Sequence, residues 1–213
     1  MASEGGKRMM NKEDQISKAA YNTAMWYKAT YLQALRLSEA DNRMRNEAAV
    51  EEDPFKLPWE KRDTLAFNVE RFFFIHAMFH FLDGIQQLNA MLIESGDERL
   101  LSIKKRMLDE GNFYQQIRVL RNINEHDIEH MTGKGHFQKH FEKELDTGGG
   151  ILTTNMHMTV QLGSQVFIGG DIDLLQSLKW MRSFRDELLP ILKTLCYGTK
   201  SLDDDGKRTP EES

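Results

Sequence analysis

A chain of 213 residues with 40% hydrophobic content and one cysteine, Cys196, can bury a single substantial core but cannot staple it with an intramolecular disulfide. Its formal net charge of -5 excludes a protein that coats nucleic acid indiscriminately, because uniform counterion release requires a basic surface. The N-terminal run MASEGGKRMMNKEDQ lacks the apolar stretch of a secretory signal, so the expected compartment is reducing, most simply the cytoplasm.

Residues 1–13 are small, polar and charged and are expected to form a disordered leader. A first long helix is predicted from Asp14 to Val50, with Ile16, Ala20, Thr23, Ala24, Tyr27, Tyr31, Ala34 and Leu35 at helical intervals. Pro54 and Pro58 break it, since each proline removes a donor and pushes its predecessor out of helical geometry. Asp63 or Thr64 is placed to cap a second helix running to Ser95, whose stripe is read as Leu65, Val69, Phe72, Phe73, His76, Phe79, His80, Asp83 and Gln87, with Gly96 ending it. The longest apolar stretch, Phe72 to Leu82, is interrupted by His76 and His80 and is too short to cross a bilayer, so no membrane span is expected.

A shorter helix is predicted over 97–109, another over Phe113 to Met131, and a short helical piece from His136 to Leu145. Joined by short connections, these make a mainly α-helical, antiparallel bundle over 14–145. After Gly148-Gly149-Gly150, positions 152 to 162 alternate apolar and polar, the period of a half-buried strand. Gly163-Ser164 suits a two-residue turn into a second strand, Gln165 to Ile168, so a β-hairpin is appended to the bundle. Asp171 or Asp173 then caps a C-terminal helix with Leu174, Leu175, Leu178, Met181, Arg182, Arg185, Leu188, Leu189 and Leu192 along its stripe; hairpin and helix, 151–197, are expected to pack on the bundle. Residues 198–213 read as a flexible tail.

The chemistry concentrates in Arg121-Asn122-Ile123-Asn124-Glu125-His126. On one continuous helix Asn122 and His126 share a face, and Arg121 is offset from His126 by about 140°, a gap only a side chain as long as arginine's spans. A plainer account of the same residues is a solvated helix face laced with pairs such as Arg118 to Asn122 or Arg121 to Glu125. Arg71 and His76 repeat the spacing, but Phe72 to Ile75 separate them and no polar residue follows that arginine. Between Arg99 and Arg121 six basic residues (Arg99, Lys104, Lys105, Arg106, Arg118, Arg121) face two acidic ones, Asp109 and Glu110. Such a strip suits phosphate tracking or simply a solvated surface.

The RNxxxH pattern at Arg121, Asn122 and His126, late in a helical bundle, resembles the HEPN superfamily, with a layout covering roughly residues 14–145. The resemblance implies a homodimer through the Arg121 helix acting as a metal-independent endoribonuclease without a cofactor. Arg121 would stabilise transition-state charge, His126 would move protons, and Asn122 would position the ring or the phosphate. Arg118, Lys104, Lys105 and Arg106 are the expected RNA-binding residues, and a toxin or defence role under an antitoxin or regulatory protein is typical of the family.

Two alternatives use the same residues. A non-catalytic interaction module would present the polar helix face to a partner. His126-Asp127-Ile128-Glu129-His130 also matches HxxEH, in which His126 and His130 bind zinc beside Glu129 as base. No third ligand announces itself; Glu187 is the nearest guess. The i, i+4 pairs His76/His80 and His136/His140 leave a bundle metal open.

Overall fold

The computed structural model describes residues 11–50, 62–109, 112–126, 134, 142–146, 151–155, 159–162, 165–169 and 172–198. The chain is mainly helical, as expected. Among the described residues the helices are α1 (Lys12–Val50), α2 (Arg62–Ile93), a short α3 (Leu101–Lys104) that widens into a π-helical turn (Lys105–Asp109), α4 (Phe113–Glu125) and α5 (Leu174–Tyr197).

The N-terminus of α1 is set by Asn11, whose Oδ1 accepts from the Asp14 N–H at 2.7 Å and satisfies one of the donors a helix start leaves over. Residues 11–13 of the expected leader therefore belong to ordered structure; residues 1–10 lie outside the described residues. α1 and α2 run antiparallel. Lys12 Nζ donates to the Glu94 carbonyl at 2.9 Å, Tyr27 meets Phe81 edge-on with centroids 5.3 Å apart, and Gln33 Nε2 donates to the Glu70 carboxylate. α5 lies antiparallel along α1, with Ser17 Oγ donating to the Cys196 carbonyl at 3.0 Å and Arg182 Nη2 donating to Tyr31 Oη at 3.1 Å.

Between these helices sits one core, from Ala20, Ala34 and Leu37 of α1 through Phe74, Met78, Phe81 and Ile85 of α2 to Met181, Leu188 and Leu192 of α5. Within it Thr23 and Thr30 are fully covered, and each hydroxyl donates to the carbonyl four residues earlier, Ala19 and Trp26, at 2.8 Å, so neither is left unsatisfied. Gly84 lets α1 and α2 approach closely: a β-carbon there would lie 2.8 Å from Thr23 Oγ1. Gly96 closes α2 at φ 74, with its N–H on the Ile93 carbonyl and that of Asp97 on Leu92, both 2.9 Å, a conformation open to glycine at no steric cost.

The stripe read for α2 is corrected. Leu65, Val69, Phe72 and Phe73 are exposed, and the buried face is Phe67, Phe74, Ile75, Met78, Phe81, Leu82, Ile85, Leu88 and Leu92. α2 is apolar nearly all the way round, so periodicity alone did not choose the face. On α5 the stripe runs through Phe184 rather than Arg185, and Leu175 is exposed. Asp173 caps that helix, accepting from the Gln176 N–H at 3.0 Å.

Two expectations in the strand region change. Glu142–Asp146 is a strand, β1, rather than the end of a helix; it pairs antiparallel with β2 (Ile151–Asn155), Leu145 opposite Leu152. The predicted strand 152–162 is two strands in two sheets, because β3 (Thr159–Leu162) pairs instead with β4 (Gln165–Ile168). The expected hairpin is that second pairing, with Leu162 opposite Gln165. β5 (Ile172–Asp173) adds to β4 and leads directly into α5. No described helix is long and apolar enough to cross a membrane.

Candidate functional site

α4 is strongly amphipathic. Ile117, Leu120 and Ile123 are buried in the core, which turns Arg118, Arg121, Asn122 and Glu125 outward or along the seam with α2. The helix ends at Glu125, not at Met131. His126 is its C-cap, with φ -116 and ψ 37, and its N–H donates to the Asn122 carbonyl at 3.0 Å. The ring of His126 is thus carried on an exposed residue that leaves the helix one turn after Asn122, rather than projecting from a continuous helical face.

Arg121 is one-third exposed and anchored twice. Its Nη2 lies 2.6 Å from Glu125 Oε1, the i, i+4 pair that the plainer account anticipates, and its guanidinium carbon sits 5.0 Å from the centroid of the Phe79 ring. Nε is buried and has no hydrogen-bond partner among the described residues. A guanidinium packed on an aromatic face is held in place by the ring, and here its Nη2 is also engaged by Glu125.

The seam brings in residues far away in sequence. His76 Nε2 approaches the same Glu125 oxygen at 3.5 Å, its Nδ1 lies 2.9 Å from the Phe72 carbonyl, and its ring packs on Phe72 with centroids 4.1 Å apart. His80, one turn on, stacks against Trp26 of α1 at 4.6 Å and 24°. Burial first, and then the nearby His76 and Arg121 charges, hold the His80 imidazole below its ordinary range, while Asp83 and Glu125 pull the other way. The two histidines thus serve the α2–α4 and α1–α2 seams. Among the described residues no group of three or more His, Cys, Asp or Glu side chains is arranged to hold a metal ion.

The expected phosphate-tracking residues divide. Lys104 Nζ is held by both carboxylate oxygens of Asp109 at 2.8 Å. Arg106 forms a two-pronged pair with Glu187 of α5, Nη1 to Oε1 at 3.1 Å, and lies 5.2 Å from the Phe184 centroid. Arg106 therefore ties the π-helical turn to α5, and Glu187, the guessed third zinc ligand, is its counter-ion, held below the usual carboxylate range by that contact. Lys105 and Arg118 are exposed. Glu129, His130, His136 and His140 lie outside the described residues. Cys196 is half-buried, and burial pushes its thiol up, which suits a small packed side chain better than a nucleophile.

The sequence pointed to His76 and His80 only as an i, i+4 pair open to a metal, and gave no sign of Phe79 or Trp26 at this seam. Trp26 and His80 are joined only by the antiparallel α1–α2 pairing, and no local pattern signals it. Compared with known proteins, the chain matches no family model, no curated protein and no solved structure.

Proposed function

We propose that this protein is a homodimeric, metal-independent endoribonuclease of the HEPN type, with Arg121, Asn122 and His126 at its cutting centre. The observation that carries the reading is the Arg121 guanidinium, anchored by Phe79 at the end of a helix whose C-cap is the exposed His126. The ribose 2′-oxygen attacks phosphorus and the bond to the 5′-oxygen breaks. The 2′-hydroxyl proton passes to one imidazole, and the leaving oxygen takes a proton from the other, supplied by the partner subunit's His126. Charge growing on the phosphorane oxygens falls to Arg121. The products are a 2′,3′-cyclic phosphate and a free 5′-hydroxyl.

The dimer this requires has a matching surface. Leu65, Val69, Phe72 and Phe73 are exposed along one side of α2, and Phe72 leads through His76 to Glu125 and Arg121. Exposed large apolar side chains recurring along one helix face are the composition of an association surface.

The test is cleavage of structured and unstructured RNA by the wild type, Arg121→Ala and His126→Ala, with and without EDTA. Loss of about a hundredfold or more in either variant is expected, with EDTA inert and the melting temperature of His126→Ala unchanged. An interaction module, the second reading, is favoured by the Arg121–Glu125 ion pair itself; it tolerates His126→Ala with binding intact. Inhibition by EDTA would instead select the zinc alternative through His126 and His130.

A further inference from the structure

The Trp26–His80 stack stands at one end of a cleft of about 380 Å³ between α1 and α2, lined also by Lys18, Asn22, Asp83 and Gln87. That volume is near the lower end of the ~300–1,000 Å³ typical of small-molecule sites. The lining pairs one aromatic wall with a carboxylate and three side-chain amides, Gln15, Asn22 and Gln87, the set of groups that reads an unstacked nucleobase: a ring face to stack on and edge partners in its plane. His80 also borders the Arg121 seam: its ring meets that of Phe79 edge-on with centroids 5.6 Å apart, and Phe79 carries the Arg121 guanidinium.

We propose that this cleft is a subsite for a guanine base of the RNA, neighbouring the phosphate at Arg121; the assignment rests on the nuclease reading. The choice of base follows from Asp83. An ionised carboxylate only accepts, and guanine alone among the four RNA bases offers two adjacent donors, N1–H and the N2 amino group, on its pairing edge. Asp83 Oδ2 already accepts from Gln87 Nε2 at 2.7 Å, which holds the carboxylate in place and leaves Oδ1 and the Gln87 carbonyl oxygen to face a base. Lys18 is exposed on the α1 side of the cleft, where a cation meets the phosphate attached to that nucleotide.

The test is calorimetric titration of the full-length wild-type protein with the 3′-monophosphates of guanosine, adenosine, cytidine and uridine, none of which needs cleavage to be read. Saturable binding of the guanosine nucleotide is expected, about five- to hundredfold tighter than the others. Trp26→Ala, a substitution at an exposed position, should weaken all binding by a similar factor. Asp83→Asn, which swaps one acceptor for a donor, should move the preference from guanine toward adenine. Equal binding of all four, no saturable binding, or an unchanged preference in Asp83→Asn overturns the subsite. Guanosine nucleotide binding without RNA cleavage leaves the subsite standing and sinks the nuclease; cleavage without base preference does the reverse.

Discussion

His76 of α2 and Glu125 of α4 meet at 3.5 Å, imidazole Nε2 to carboxylate Oε1. The same oxygen lies 2.6 Å from Arg121 Nη2, so one carboxylate oxygen stands between the cation assigned to phosphate and a second imidazole. On the proposed nuclease reading, a phosphodiester would displace it before engaging Arg121 fully, and Glu125 would keep a partner in His76.

Glu125→Gln is therefore expected to tighten RNA binding severalfold and to steepen its salt dependence, because one more cation becomes available to release counterions. The stability cost should be about 0.5 kcal/mol or less, as for other partly exposed i, i+4 pairs. Filter binding across a salt series measures the first and urea unfolding the second; weaker binding in the variant would mean that Glu125 assists the phosphate site.

Phe73, half-exposed and edge-on to Phe72 with centroids 5.7 Å apart, sits in the apolar strip assigned to the second copy. Phe73→Asp should convert a dimer to a monomer in light scattering and abolish cleavage while leaving the helical circular-dichroism signal intact. A wild-type protein that is monomeric at every concentration tried removes the paired centre altogether.

His80 gives the fold a pH dependence whose sign is fixed. Burial, His76 and Arg121 depress its folded-state affinity for a proton, so at mildly acid pH the unfolded chain binds more protons than the folded one. Stability is complete above the ordinary imidazole value of about 6.5 and declines as pH falls from there through the depressed folded value. His80→Gln, which cannot charge, should flatten that part of the melting-temperature profile; a profile unchanged by the substitution refutes the assignment.

Phe81 is fully buried and packs edge-on against Tyr27 at 5.3 Å. Phe81→Ala should cost about 3–5 kcal/mol, the transfer of the ring plus the cavity it leaves. The readout is a lower urea midpoint at unchanged slope; a cost under about 1 kcal/mol would mean that the α1–α2 seam collapses to refill the space.

Legibility in the sequence tracked how local the deciding interaction was. α4, polar on one face and apolar on the other, could be located from its own residues, as could the Asp173 cap of α5 and the glycine that closes α2. The buried face of α2 could not be, because Phe72 and Phe73 are as apolar as Phe74 and Phe81 and only packing against α1 decides among them. Glu142–Asp146 carries good helix formers and becomes a strand through its pairing with Ile151–Asn155. The C-terminal helix was legible through Pro190, where the local rule would end it, because its apolar stripe resumes at Leu192; α5 runs on to Tyr197 with Leu188 and Leu192 in the core on either side. At the candidate site, Arg121, Asn122 and His126 stood out as a short pattern. Their surroundings did not, since Phe79, His76 and Trp26 arrive from other helices through tertiary packing.

The close approach at Gly84 has a mechanical meaning for the groove beside it. Glycine inside a helix is unfavourable by about 1 kcal/mol relative to alanine, and here the missing methyl leaves room for Thr23 Oγ1. Trp26 follows Thr23 by three residues and His80 precedes Gly84 by four, so the crossing acts as a fulcrum one turn away from both rings. A side chain at 84 would have to displace the Thr23 hydroxyl that fills this space, which ties the gauge of that slot to a single hydrogen-sized gap.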